Sequence, residues 1–157
     1  MQEGGGGPLD RIGLVGCVKS KLGHAARAQD LYTSPLFQGR RRWVEQTCGR
    51  WFILSAKHGL LYPDTVIAPY DLTLRQMPAR ERRAWSRRVV EALREELHDF
   101  RSLSFEAHLG SAYWDHGLRE GLLREGAKLE VPFQHLGLGL QLARYREGPP
   151  GRGPAAG

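Results

Sequence analysis

The chain alternates short apolar runs with longer segments of helical period. Ile12-Gly13-Leu14-Val15-Gly16 is an apolar run closed by a glycine, and its length fits a strand buried on both faces. A polar stretch through His24 and Asp30 follows. Ser34-Pro35 reads as helix N-cap and first helical position, with Leu36, Arg40, Trp43, Val44 and Thr47 marking one face of a helix that runs to about Cys48 and stops at Gly49. Trp51-Phe52-Ile53-Leu54 predicts a second buried strand, and the Gly and Pro content from His58 to Thr73 predicts an ordered loop. Pro78 opens the longest helix, on which Trp85, Val89, Leu93, Leu97 and Phe100 form one apolar stripe. Leu103 to Leu109 predicts a third strand, punctuated by Gly110-Ser111. A helix through Trp114, Leu118, Gly121 and Leu122 and a fourth strand from Lys128 to Phe133 follow. In the last segment Leu136, Leu138, Leu140 and Leu142 alternate as in a strand, but its two glycines and the tail beyond favour a short helix.

Strands that alternate with helices predict right-handed crossovers and a parallel sheet covered on both faces. The expected fold is an α/β three-layer sandwich, Rossmann-like, with a mostly parallel sheet of four to five strands. Residues 10–145 form the expected single domain. The Gly/Pro-rich ends, 1–9 and 146–157, read as flexible tails.

Composition narrows the class. The 157 residues are 41% hydrophobic and 25% charged, as in a globular domain with a real core. The apolar runs are too short to span a bilayer, and no basic-then-apolar leader opens the chain. The two cysteines, Cys17 and Cys48, suit a reducing cytosol, so a cytoplasmic protein is expected. No Cys/His spacing suggests a metal, and the absence of a Walker motif or GxGxxG disfavours ordinary ATP hydrolysis and dinucleotide binding. No cofactor is expected. A net charge of +6 favours an anionic partner, a nucleotide or nucleic acid.

The basic residues are 19 arginines and only 4 lysines, and three of the lysines follow apolar runs. Lys19 and Lys21 follow the first predicted strand together with Cys17. Lys57 follows the second, with Ser55, His58 and Gly59. Lysine is a compact charge whose pKa shifts on burial, so it suits anion binding and proton chemistry where arginine does not. In a parallel α/β sheet ligands bind beyond the strand carboxyl ends, and that is where each of these segments falls. Lys57, His58 and Cys17 are the candidate catalytic residues: Cys17 as a thiolate beside lysines, Lys57 for an anion, and His58 for a proton. Lys19, Lys21, Tyr32, Ser34, Ser55, Gly59, Tyr70 and Ser111 are the candidate ligand-binding residues, with Tyr32 stacking on a base. Arg80, Arg82, Arg83, Arg87, Arg88 and Arg94 make the longest helix strongly basic, either as a solvated face or as a phosphate-binding one.

Gly16-Cys17-Val18-Lys19-Ser20-Lys21, Asp30-Leu31-Tyr32-Thr33-Ser34-Pro35-Leu36-Phe37, Trp51 through Leu60, and Pro69-Tyr70 resemble an uncharacterised bacterial family of the DUF6884 type. That resemblance spans nearly the whole folded part and implies no activity. Ser55-Ala56-Lys57-His58-Gly59-Leu60-Leu61-Tyr62-Pro63-Asp64, with Pro69-Tyr70, is also distantly similar to a segment of the peroxide stress resistance (YaaA-like) proteins, with His58 where that pattern has Tyr. Those bind DNA in oxidative-stress defence. The Cys17/Lys19 segment followed by Tyr32 and Ser34 faintly resembles the core domain of archaeosine synthases, which act on a deazaguanine base in tRNA. The expected function is binding of a nucleotide or nucleobase, free or within nucleic acid, with a reaction at the base or its glycosidic bond. A non-enzymatic DNA-binding stress protein and a small hydrolase or transferase unrelated to nucleotides are the alternatives.

Overall fold

The computed structural model of the protein describes residues 10–17 and 20–150. The elements run β1 (Arg11–Gly16), β2 (Ala26–Arg27), α1 (Ala28–Leu31), α2 (Pro35–Thr47), β3 (Arg50–Ser55), β4 (Gly59–Leu61) and β5 (Val66–Ile67). They continue with α3 (Ala79–Leu97), β6 (Ser104–His108), α4 (Ser111–Trp114), α5 (Leu118–Arg124), β7 (Lys128–Glu130) and α6 (Leu138–Glu147). The main sheet has the order β4-β3-β1-β6-β7. β1 pairs in parallel with β3 and β6, β7 is parallel to β6, and β4 alone is antiparallel.

The period-two pattern of the strands divides the core in two. Ile12, Leu14, Phe52, Leu54, Phe105 and Ala107 pack on one face against Trp85, Val89 and Leu93 of α3 and Leu118 and Leu122 of α5. Val15 and Ile53 pack on the other against Leu31, Phe37 and Val44. The three layers follow, with α2 and α6 on one face and α3 and α5 on the other. Right-handed crossovers demand this placement, because the connection from β1 to β3 and that from β3 to β6 move in opposite directions along the sheet.

Four expectations change. The stretch 58–73 is not merely a loop. β4 turns back on β3 at Gly59, whose φ of 69° suits glycine, and β5 pairs with β2 in a small ribbon. The helix expected after the third strand is two, α4 and α5, separated at Gly117 with φ 115°. The fourth strand ends at Glu130, because Pro132 has no N–H for a ladder and Phe133 takes a φ of 67°. Phe133 instead packs edge-on against Trp43 at 5.0 Å. The last segment is the helix α6, and it runs through Glu147, two residues past the expected domain boundary. The remainder of the expected tails, 1–9 and 151–157, lies outside the described residues. No helix among the described residues is long and apolar enough to cross a membrane.

On the α2/α6 face the sheet buries polar side chains. His108 Nε2 lies 3.0 Å from Glu106 Oε1 and its Nδ1 lies 2.6 Å from the Tyr145 hydroxyl of α6. Thr47 of α2 donates to the same carboxylate at 2.8 Å and Arg11 at 3.3 Å. Burial alone would raise the Glu106 carboxyl, but the hydrogen bonds from His108, Thr47 and Arg11 hold it below its usual range. Burial lowers the His108 imidazole, an effect that Glu106 only partly offsets. A neutral imidazole donating from Nε2 and accepting the Tyr145 proton at Nδ1 fits both contacts. The network fastens α6 and α2 to the sheet.

Both groups have folded-state pKa values below their ordinary ones, so both contribute stability above those values and lose it in acid. The urea midpoint should therefore fall as pH drops through the ordinary imidazole value of 6.5 and fall again near the carboxylate value of 4.5. His108→Gln should cost about 1–3 kcal/mol at neutral pH and flatten the first decline, as read by urea denaturation across pH.

Candidate functional site

Tyr70 gathers the segments that follow the strands. Its hydroxyl lies 2.7 Å from Ser55 Oγ, 2.7 Å from the Tyr32 hydroxyl and 3.5 Å from Cys17 Sγ. Its ring meets the Lys21 ammonium at 4.5 Å, the Lys57 ammonium at 6.0 Å and the His58 ring edge-on at 5.5 Å. Each contact has a local cause. The Cys17 amide donates to the Leu54 carbonyl and so extends the β1–β3 ladder by one residue. Residues 20–22 run against 31–33, with a bridge between Lys21 and Tyr32, which carries Lys21 to the aromatic rings. Ser55 ends β3, where its carbonyl accepts from Trp85 Nε1 at 2.9 Å and its Oγ from the His58 amide at 3.1 Å.

Tyr113 joins from α4. Its hydroxyl donates to the Cys17 carbonyl at 3.0 Å and lies 3.0 Å from Cys17 Sγ. A phenol has one proton to give, so with the carbonyl taking it the oxygen is left to accept from the thiol. Burial is the largest cause that pushes the Tyr32, Tyr70 and Tyr113 phenols up. All three stay protonated at neutral pH. His58 differs: burial and then the Lys57 charge push its imidazole down, which leaves it neutral and able to take a proton.

Beside this cluster a cleft of about 510 Å³ opens between the ends of β1 and β6. Cys17, Gly110, Ser111 and Tyr113 form one side and residues 71–76 the other, with Lys21 and Arg40 also lining it. The far wall is held from α3, where Arg82 donates to the carbonyls of Leu74, Arg75 and Met77. Leu36, Leu74 and Ala112 supply apolar surface.

Cys17, Lys21, Ser55, Lys57 and His58 lie around Tyr70, but the strand-end residues do not line the one cavity expected of them. Tyr32 is fully buried with its ring against Phe37 at 5.0 Å, so it offers no face on which a base could stack. Lys57 and His58 do not line the cleft, because the tight β3–β4 turn carries them to the Tyr70 ring instead. Ser34 caps α2 by accepting from the Phe37 amide. Gly59 serves the turn. Lys19 lies outside the described residues. Arg40 is a site residue that sequence reasoning missed. An arginine in register with Leu36, Trp43 and Val44 was the available signal, since a charge on the apolar face of a helix calls for a partner.

A second groove, between α3 and α5, takes in Arg83, Arg87, Arg94 and Arg124, but also Glu91, Asp115, Glu120 and Glu125. Its four arginines are matched by four carboxylates, and Arg94 pairs with Glu125. The groove therefore carries carboxylates as well as arginines of the basic helix. Among the described residues no group of His, Cys, Asp and Glu side chains has a metal-holding arrangement.

The profile of a family of unknown function (DUF6884) matches residues 12–147. An uncharacterised protein of Bacillus subtilis (strain 168), YfjM, is 36% identical over 72 residues, which cover 41% of this chain and 48% of the relative. The match therefore spans about half the length of that relative. No solved structure matches. Neither match carries the likeness to the peroxide stress resistance proteins.

Two outcomes test the site. Tyr70→Phe should lower stability by about 1–3 kcal/mol in urea denaturation, because it leaves Ser55 Oγ and the Tyr32 hydroxyl short of a buried partner. Iodoacetamide should label Cys17, on the cleft, well before Cys48, whose thiol is pushed up to about 12 chiefly by burial. Labelling rates followed by mass spectrometry will rank them.

Proposed function

The chain belongs to the family of unknown function DUF6884, and we propose that it binds a nucleotide or a ligand bearing a nucleobase in the cleft between β1 and β6. The observation that carries the reading is the position of that cleft. Among the parallel strands, β3 lies on one side of β1 and β6 and β7 on the other, so the connections diverge at the carboxyl end of β1. A crevice of this kind is the preferred ligand site of open α/β sheets. The cleft is of ligand size, and it joins an apolar wall for a base to the cations Lys21, Arg40 and Arg75 for an anion. Tyr113, not Tyr32, is the aromatic residue lining it.

Isothermal titration with nucleosides, nucleoside 5′-monophosphates and short DNA tests this. A nucleotide should bind, and Lys21→Ala should weaken it about tenfold with the fold retained. Reversing the charges of Arg83, Arg87 and Arg88 together should leave nucleotide affinity unchanged. Absence of nucleotide binding, with DNA binding that the triple reversal abolishes and that falls steeply with salt, would favour the DNA-binding alternative.

A further inference from the structure

We infer that Arg40 is the receptor for a phosphomonoester group on the ligand of the strand-end cleft. The inference rests on the reading of that cleft as a ligand site and narrows it, since a free base or nucleoside would leave Arg40 unused.

Arg40 projects from the apolar face of α2 and is only 6% exposed. Its Nη1 donates to the Gly16 carbonyl at 3.4 Å, a long contact, its guanidinium also lies against the Tyr145 hydroxyl, a neutral partner, and its buried Nε has no hydrogen-bond partner. Other arginines of this chain find carboxylates: Arg41 pairs with Asp30 and Glu45, Arg50 with Glu96, and Arg101 with Asp99. Among the described residues, no carboxylate lies within ion-pairing distance of Arg40. A guanidinium cannot escape the cost of burial by losing its proton, so it stands in a low-dielectric site as a charge without a counter-charge. Such a site is costly when empty and is relieved by an anion that enters from the cleft Arg40 lines.

Charge and shape select the anion. Lys21, Arg40 and Arg75 line the cleft against the single carboxylate of Asp71, so two positive charges are in excess. A phosphomonoester carries nearly two negative charges at neutral pH, whereas a carboxylate or an internal phosphodiester carries one. The planar guanidinium fork pairs with two phosphate oxygens at once, and Lys21 adds a point charge. The ligand class is thus a small molecule ending in a phosphate, such as a nucleoside monophosphate, rather than an uninterrupted nucleic-acid strand.

Inorganic phosphate is the probe, with acetate at equal ionic strength as its control. Phosphate should raise the melting temperature of the wild-type chain and slow alkylation of Cys17, which shares the cleft; acetate should do neither. Arg40→Met should abolish both effects, with a loss of phosphate affinity of about ten- to a hundredfold by isothermal titration. In phosphate-free buffer Arg40→Met should be at least as stable as wild type, because it replaces an unpaired buried charge with an apolar stem. An arginine kept only to hold the Gly16 carbonyl would give the opposite. Should Arg40→Met fail to fold, Arg40→Lys keeps the charge and loses the fork, and it should still bind phosphate several-fold more weakly. Phosphate protection that survives both substitutions, or that is absent from wild type, overturns the inference. Nucleosides binding without help from a phosphate would leave the nucleotide reading standing and sink the role of Arg40. Phosphate bound through Arg40, with no gain from an attached nucleoside, would do the reverse.

Discussion

β1 is hydrogen-bonded along both edges by parallel neighbours, and the crossovers that join them must be right-handed. From that constraint the rest of the molecule follows. The chain leaves β1 on one face of the sheet, returns in β3, crosses on the other face through α3, and re-enters beyond β1 as β6. The segments that follow β1 and β6 therefore head apart where they leave the sheet, held in touch by Tyr113 on Cys17, and a cleft opens beside that contact. Residues 71–76, anchored from α3 through Arg82, close the far side. The cleft is a consequence of strand order before it is a consequence of any side chain.

The two faces of the sheet are unequal, and the inequality locates the polar chemistry. Against α3 and α5 the strands present only apolar residues, with Phe105 and Ala107 alternating away from Glu106 and His108. The α2/α6 face buries a carboxylate, an imidazole and, at the edge of the cleft, a guanidinium. Glu106 and His108 satisfy each other and tie down Tyr145, so their burial is compensated within the fold. Arg40 of α2 reaches the same Tyr145 and the Gly16 carbonyl, but it pairs with no carboxylate among the described residues. Two sets of buried polar groups on the same layer thus differ: the closed network holds the structure together, while the guanidinium keeps an Nε without a hydrogen-bond partner.

Much of this was legible in the sequence. The strands β1 and β3 are continuous apolar runs, as buried parallel strands tend to be, β6 alternates apolar and polar residues, and the periods of α2 and α3 are clear. Their alternation implied the topology, and the topology puts Cys17, Lys21, Ser55, Lys57 and His58 at strand carboxyl ends; that Tyr70 of the long loop joins them is a tertiary contact that the strand pattern does not show. What could not be read was decided by tertiary contacts. Gly59-Leu60-Leu61 is too short to show a strand period, yet it pairs with β3 and turns Lys57 and His58 out of the cleft. Tyr32 carries a polar handle that suggests a ligand, but its hydroxyl is spent on Tyr70 and its ring on Phe37. Lys128 to Val131 has strand composition, but the strand closes after three residues, ahead of Pro132 and the turn of the backbone at Phe133.

The chain's preference for arginine gains a physical sense from the same contrast. Seven of its arginines, Arg11, Arg27, Arg41, Arg50, Arg94, Arg101 and Arg144, form ion pairs with carboxylates among the described residues, and where such a pair is exposed either basic residue would serve and the pair contributes little. Lys21 and Lys57 stand instead over the Tyr70 ring, where a compact ammonium fits against a π-face between hydrogen-bonded neighbours. Arg40 is the arginine whose geometry a lysine could not reproduce, since a buried point charge would shed its proton and a guanidinium does not. A protein selected for stability alone would fill that position with leucine or methionine. α2 thus places a cation without a carboxylate partner among the described residues on its own apolar face, beside a cleft made by the strand order, and that placement costs the fold stability that an apolar side chain would not.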